Sequence, residues 1–162
     1  MNPIEIRPAT PADADAVAAY HARCFAATYA PQLRSGGFEA PDPESTRQQL
    51  HEWFRPRSEI QTRVAVVNGR PIGHVAVSDH QLVHLFVEPE HQGLGLGRQL
   101  LAQGETMIAA GGHSSFELHA RVDNLAAISF YEGAGWIRTD RLIHTVEHGI
   151  GYDEHVLVKS CP

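Results

Sequence analysis

A chain of 162 residues with 43% hydrophobic and 20% charged residues has the size and composition of one globular domain, residues 1–162, able to bury roughly 70% of its unfolded surface without staples. A net charge of −6 argues against a nucleic acid as partner, and no apolar stretch approaches the ~20 residues of a membrane span. Residues 1–8 lack a basic start and an apolar signal core, and Cys24 and Cys161 make no disulfide framework, so free thiols in the cytoplasm are expected. The 11 histidines raise the question of a metal, yet none falls in H-x-x-x-H spacing on a predicted helix and no Cys-x-x-Cys accompanies them, so no metal is expected.

Ile4-Glu5-Ile6 alternates as a short strand does, and Thr10-Pro11-Ala12-Asp13 reads as an N-cap, a first-turn proline and an acidic residue three places on. A helix is expected from there to about Tyr29, with Val17, Tyr20, His21, Cys24 and Thr28 facing the core at three- and four-residue steps. Residues 31–43, with Pro31, Gly36-Gly37, Pro41 and Pro43, read as a loop free to close over a substrate. A second helix is expected from Glu44 to about Phe54, with Leu50, Trp53 and Phe54 buried and Pro56 beyond its end. Residues 63–67 and 71–77 are strand patterns joined through Asn68-Gly69, a strong hairpin signal. After a turn at Ser78 to His80, a third antiparallel strand follows.

That strand opens the stretch on which the chain's chemistry turns. Leu82-Val83-His84-Leu85-Phe86-Val87 is an apolar run bounded by Glu88-Pro89, and strict alternation puts Gln81, Val83 and Leu85 on one face and Leu82, His84 and Phe86 on the other. Glu90-His91-Gln92 leads into Gly93-Leu94-Gly95-Leu96-Gly97, after which Leu100, Leu101, Gly104 and Ile108 share a helical face until Gly111-Gly112. Strand, glycine turn and helix in that order aim several backbone N–H groups at one point near a positive dipole end, which is a phosphate site. The dipole alone contributes only about 0.3–1 kcal/mol, so amide hydrogen bonds must carry the binding, with Arg98 adding charge.

The spacing separates three designs. A P-loop would end in Gly-Lys-Ser or Gly-Lys-Thr, but Gly97 is followed by Arg98 and the only lysine is Lys159. A dinucleotide fingerprint requires G-x-G-x-x-G directly after its strand, and this run is G-x-G-x-G several residues beyond it. Q/R-x-x-G-x-G/A is matched throughout by Gln92-Gly93-Leu94-Gly95-Leu96-Gly97, and the stretch resembles the acyl-CoA pyrophosphate loop of the GNAT superfamily of N-acetyltransferases.

Ser115 to Val122 alternates as a strand that would lie parallel to the central one as the sheet's working edge. Asn124 then suits the N-cap of a short helix ending at Gly135, and this segment is similar to the superfamily's late signature, N-x-x-A-x-x-F-Y-E-x-x-G-[FW], through Asn124, Ala127, Phe130, Tyr131, Glu132, Gly135 and Trp136. The two motifs lie about 30 residues apart, as a βαβ crossover requires, and together are far more specific than either alone. Trp136 to Ile143 and Glu154 to Lys159 read as the last strands around a turn from His144 to Asp153, and the resemblance runs from about Ile4 to Ser160.

The resemblance implies a mixed α/β sheet, mostly antiparallel with one splayed parallel pair, and about four helices. It also implies acetyl-CoA as cosubstrate. Backbone groups of Leu85, Phe86 and Val87 would line the pantetheine arm, the Gln92 to Arg98 turn (Gln92, Gly93, Leu94, Gly95, Leu96, Gly97 and Arg98) would hold the pyrophosphate, and Asn124 and Phe130 would complete the cofactor side. Tyr131 matches the family's general acid. No carboxylate stands on the central strand where some relatives carry one, which leaves His84 as the first titratable candidate for a base, with Glu88 and Glu117 behind it. His84 equally suits a buried strand histidine bonded to a neighbour. The acceptor would be a small-molecule or peptide amine recognised near Tyr29, residues 31–43 and Trp53, and a homodimer through the late strands is a state that such relatives adopt. An acyl-CoA-binding module without turnover shares the cofactor motifs, and a nicotinamide-dependent oxidoreductase is the more distant alternative.

Overall fold

The structure, a computed structural model, describes residues 2–36, 39–147 and 150–162. Seven strands, β1 (Glu5–Pro8), β2 (Gln61–Val67), β3 (Arg70–Ser78), β4 (Gln81–Val87), β5 (Ser115–Arg121), β6 (Ile137–Glu147) and β7 (Ile150–Ser160), form one sheet in the order β1-β2-β3-β4-β5-β7-β6. Neighbours are antiparallel except β4 and β5. The mixed sheet, the meander through β2, β3 and β4, and the parallel pair are those expected. The Asn68-Gly69 hairpin is formed as predicted, both residues lying at positive φ (51° and 76°), as a tight primed turn demands.

Helices cover both faces. On one, α1 (Ala14–Thr28) and α3 (Pro43–Trp53) pack Val17, Tyr20, Cys24, Leu50 and Phe54 onto Val64 and Val66. On the other, α4 (Leu96–Ala110) buries Leu100, Leu101, Gly104 and Ile108, the stripe expected from the sequence, together with Leu96, and α5 (Leu125–Gly133) adds Ile128 and Tyr131. Gly104 is required by close approach, since a Cβ there would lie 2.8 Å from Val75 Cγ2 and 3.1 Å from Leu82 Cδ1. Thr28, expected on the core face of α1, is exposed, because that face ends at Cys24.

Other expectations are corrected as well. Part of the supposed 31–43 loop is a five-residue helix, α2 (Ala30–Arg34), with Pro31 in its first turn where a missing N–H is harmless; Gly37 and Phe38 lie outside the described residues. The last two strands run on to Glu147 and from Ile150, so most of the supposed 144–153 turn is ladder; His148 and Gly149 lie outside the described residues. Most important, β5 is not an edge. β7 pairs along its whole far side, which makes the β4–β5 gap internal to the sheet.

The gap has a local cause. Ala76 opposes His84 but Val77 opposes Leu82, so Val83 is an extra residue, a β-bulge on β4. A bulge bends its strand and increases the twist. The β4–β5 ladder accordingly stops at once, after Gln81↔Glu117 and Leu82↔Leu118. The bulge also breaks the expected alternation, putting Leu82 against α4 while His84 and Phe86 turn toward α1.

The far end of β4 is fastened by Glu88. Its carboxylate is only 3% exposed, accepts hydrogen bonds from Arg70 at 3.0 and 2.8 Å, and is also bonded by Arg23 of α1. Burial pushes this carboxyl up, but the two guanidiniums outweigh burial and hold it below the usual range.

Gly104→Val should destabilise the fold by about 1–3 kcal/mol through overpacking between α4 and the sheet, read as a lower denaturant midpoint with an unchanged m-value. Glu88→Gln should cost about 1–3 kcal/mol at pH 7, because it leaves two guanidiniums poorly paired. A depressed folded-state pKa contributes stability above the unfolded value and loses it as pH falls through the folded value, so the gap between wild type and Glu88→Gln should shrink below about pH 4 in urea titrations.

Candidate active site

Where β4 and β5 part, a cavity of about 1000 Å³ opens between the two strands and the α1–α3 face. Leu85, Phe86 and Val87 line it along β4, and Gln92, Gly93, Gly95, Gly97 and Arg98 close one end. Asn124, Phe130 and Tyr131 of the α5 segment stand on the β5 side, and His84 lines the part reached from α1. The sequence-predicted set is thus gathered around one space, with three exceptions. Leu94 projects outward at 68% exposure, Leu96 is buried in the α4 core, and Trp53 backs His84 from behind, its ring centroid 4.7 Å from the imidazole. On α3 the cavity is lined instead by Ser45, Thr46 and Gln49.

The glycine turn is built as its sequence demands. Gly93 and Gly95 have φ of 77° and 85°, the left-handed region, and Gly95 is the N-cap of α4. The helix then starts at Leu96, so the N–H groups of Leu96, Gly97 and Arg98 have no intrahelical acceptor, and Gly97 and Arg98 line the cavity's end. Beside Gly93 and Gly95 the space that a Cβ would enter is open, which leaves the backbone approachable. Gln92 ties the turn to the sheet, its Nε2 donating to Val87 O at 2.9 Å; Cys24 Sγ donates to the same carbonyl at 3.1 Å, and burial pushes that thiol up to about 11.

Asn124 is doubly engaged. Its Oδ1 accepts from Ala127 N at 3.2 Å, the cap expected from the sequence, while its Nδ2 points to the Tyr29 hydroxyl at 3.5 Å. Tyr29 lies against the guanidinium of Arg121, which also covers Tyr152 at 4.3 Å and is held by Asp123 at 3.0 and 3.1 Å. Gln32 of α2 reaches Asp123 at 3.0 Å, so the end of α1 and the short helix after it are strapped to the β5–α5 turn. Tyr131 is buried, and burial holds its phenol well above the ordinary value.

The carboxylates that stood behind His84 as candidate bases are both occupied by cations. Glu88 is held as described, and Glu117 accepts from His119 Nε2 at 2.8 Å and from Arg141 at 3.3 Å, bonds that keep it below the usual range despite burial. His84 is different. Its Nδ1 is 3.3 Å from His74 Nε2, the His21 ring stacks on it at 5.5 Å, and burial followed by the charge of His21 pushes it down to about 3. Sequence reading missed His74 and gave Tyr20 and His21 only a core role. The available signal was a histidine inside the otherwise apolar run from Ile72 to Val77, opposite a helix face that presents Tyr20-His21. Among the described residues no group of three or more His, Cys, Asp or Glu side chains is placed to hold a metal ion, and no helix is long and apolar enough to cross a membrane.

A family model described as the acetyltransferase (GNAT) family matches residues 26–136. The mycothiol acetyltransferase of Renibacterium salmoninarum is 35% identical over 74 residues, which cover 46% of this chain and 21% of that protein, so the chain spans a minor part of that relative's length. Among solved structures, the PaiA N-acetyltransferase from Thermoplasma acidophilum in complex with coenzyme A superposes with a TM-score of 0.78 at 19% identity over 98% of this chain and 99% of that one. YncA from Salmonella typhimurium with acetyl-CoA gives a TM-score of 0.70 at 19% identity over 98% and 94%. These likenesses extend the fold over nearly the whole chain, and the family match runs from α1 through the glycine turn to Trp136. The chain belongs to the acetyltransferase (GNAT) family.

Proposed function

We propose that this protein transfers an acetyl group from acetyl-CoA to a primary amine by direct attack, without a covalent enzyme intermediate. The observation that carries the reading is the internal gap between β4 and β5, with a left-handed glycine turn and a helix start at one end and Tyr131 and His84 along its walls. A pantetheine arm can pair with the freed β4 backbone around Leu85, Phe86 and Val87 as an added strand does, while the amides after Gly95 and the charge of Arg98 meet the diphosphate. The PaiA complex with coenzyme A and the YncA complex with acetyl-CoA support the choice of cofactor.

In the reaction the amine nitrogen bonds to the thioester carbonyl carbon, the C–S bond breaks with its electron pair on sulfur, and the amine's surplus proton is lost. Tyr131 serves the leaving group. A phenol held above pKa ~10 is a weaker acid than a thiol near ~8.5, so its part is a hydrogen bond to the developing sulfur charge, not complete proton transfer. An alkylammonium pays about 4–5 kcal/mol to present its neutral form at pH 7, and a partly apolar, desolvating cavity lowers that cost. His84 meets the acceptor as a neutral imidazole, and whether it accepts or donates a proton there depends on its tautomer. The acceptor lies against Tyr29, Thr46 and Gln49, on the α1–α3 side.

A binding module without turnover is the second reading, favoured by the engagement of Glu88 and Glu117 with guanidiniums. Release of free thiol from acetyl-CoA with a panel of amines separates the two: acetyl-CoA binding without thiol release for any amine would replace transfer by binding. Gly95→Val places a β-branched residue at φ 85° and should weaken acetyl-CoA binding about tenfold or more in calorimetric titration. Tyr131→Phe should lower turnover on the order of 100-fold while leaving acetyl-CoA affinity nearly unchanged, checked by steady-state rates beside the same titration.

A further inference from the structure

Behind His84 runs a buried chain of polar atoms that crosses from the sheet to α1. The Tyr20 hydroxyl is 2.6 Å from His74 Nδ1, and His74 Nε2 is 3.3 Å from His84 Nδ1. Tyr20 and His74 are 1% and 0% exposed, so bulk water does not complete their hydrogen bonding. Around His84 stand His21 from α1, Trp53 from α3, His74 from β3 and Phe86 from β4; burial and the neighbouring imidazoles keep both His74 and His84 neutral near pH 7.

A neutral imidazole has one N–H and one lone pair, so with both hydrogen bonds made the protons along this chain can be arranged in only two ways. In the first, the Tyr20 hydroxyl donates to His74 Nδ1, His74 Nε2–H donates to His84 Nδ1, and His84 carries its own proton on Nε2. In the second every proton is reversed: His84 Nδ1–H donates to His74, His74 Nδ1–H donates to Tyr20, and the Tyr20 hydroxyl proton must find another acceptor. Among the described residues His74 is the hydrogen-bond partner of that hydroxyl, so the second arrangement strands a buried donor. Leaving such a donor unmade disfavours an arrangement by on the order of tenfold or more. The 2.6 Å separation agrees, being in the range of hydroxyl donation and short for an N–H donor.

We infer that the buried Tyr20–His74 pair holds His84 as its Nε2–H tautomer, so that His84 offers the acceptor end of the cavity a hydrogen-bond donor and not a proton acceptor. Tyr20 and His74 are then positioning residues that touch no reactant. An N–H in that place fits an oxygen of the bound reactants, such as a carbonyl or hydroxyl carried beside the acceptor's amine. It leaves the amine's proton to water. The role in acetyl transfer rests on the proposed function, whereas the tautomer does not.

The decisive measurement is the pair of ring 15N chemical shifts of His84 in histidine-labelled protein, identified by their loss in His84→Gln and followed from pH 6 to 8 by long-range 1H–15N correlation. The expected pattern is that of an Nε2–H imidazole, at about 10:1 or more over the other tautomer, with the ratio falling several-fold in Tyr20→Phe. An Nδ1–H pattern in the wild-type protein overturns the inference whether or not the protein acetylates anything, and so does an unchanged ratio in folded Tyr20→Phe. With an active amine, the pH profile of kcat/KM should show the ionisation of the amine alone, and a limb that disappears in His84→Gln would overturn the donor role.

Discussion

Two residue pairs hold β4 to β5, and the rest of the molecule depends on the ladder ending there. A strand interior to a sheet normally has its backbone donors and acceptors used on both sides. Here β3 satisfies one side of β4 along its length while the other is released after Leu82, and the bulge at Val83 supplies the bend that carries the strand away. An internal gap of this kind is protected from pairing with other sheets in a way that an edge is not. β7 matters for the same reason, because by covering the far side of β5 it makes a cleft out of what would otherwise be the sheet's border.

Rigidity around the gap comes from unlike interactions at its two ends. At the loop end, the Glu88 carboxylate joins α1, β3 and the end of β4, and Gln92 and Cys24 both bond the Val87 carbonyl, so the glycine turn springs from a fixed point. At the other end, Asn124 reaches Tyr29 at 3.5 Å, Gln32 reaches Asp123 at 3.0 Å, and Arg121 is held by Asp123 and laid over aromatic rings. The histidine cluster on β3, β4 and α1 lies between these ends, where burial makes each hydrogen bond count.

Much of the fold and of the glycine-turn end of the cavity was legible in the sequence because local rules act there. Gly93 and Gly95 need positive φ, the Leu100, Leu101, Gly104 and Ile108 stripe has one helical face, Asn68-Gly69 makes a primed turn, and Asn124 caps a helix; each is decided within a few residues. The lengths of β6 and β7 were less legible, since residues 144–153 have turn-like composition yet are held in a ladder by their partners. The short helix at Ala30–Arg34 was hidden by Pro31, which reads as a breaker but is tolerated in a first turn.

From the amino-acid order alone came the strand–turn–helix unit, its match to the family's loop and the place of Tyr131, because these depend on neighbours in the chain. Which face His84 occupies, what holds Glu88 and Glu117, and that Trp53 stands behind the imidazole and not in the cavity were decided only by tertiary structure. The physical reason is the bulge at Val83, a two-strand property: one unpaired residue reverses the alternation and sends His84 to His21 and His74, partners 63 and 10 positions away that no local rule connects.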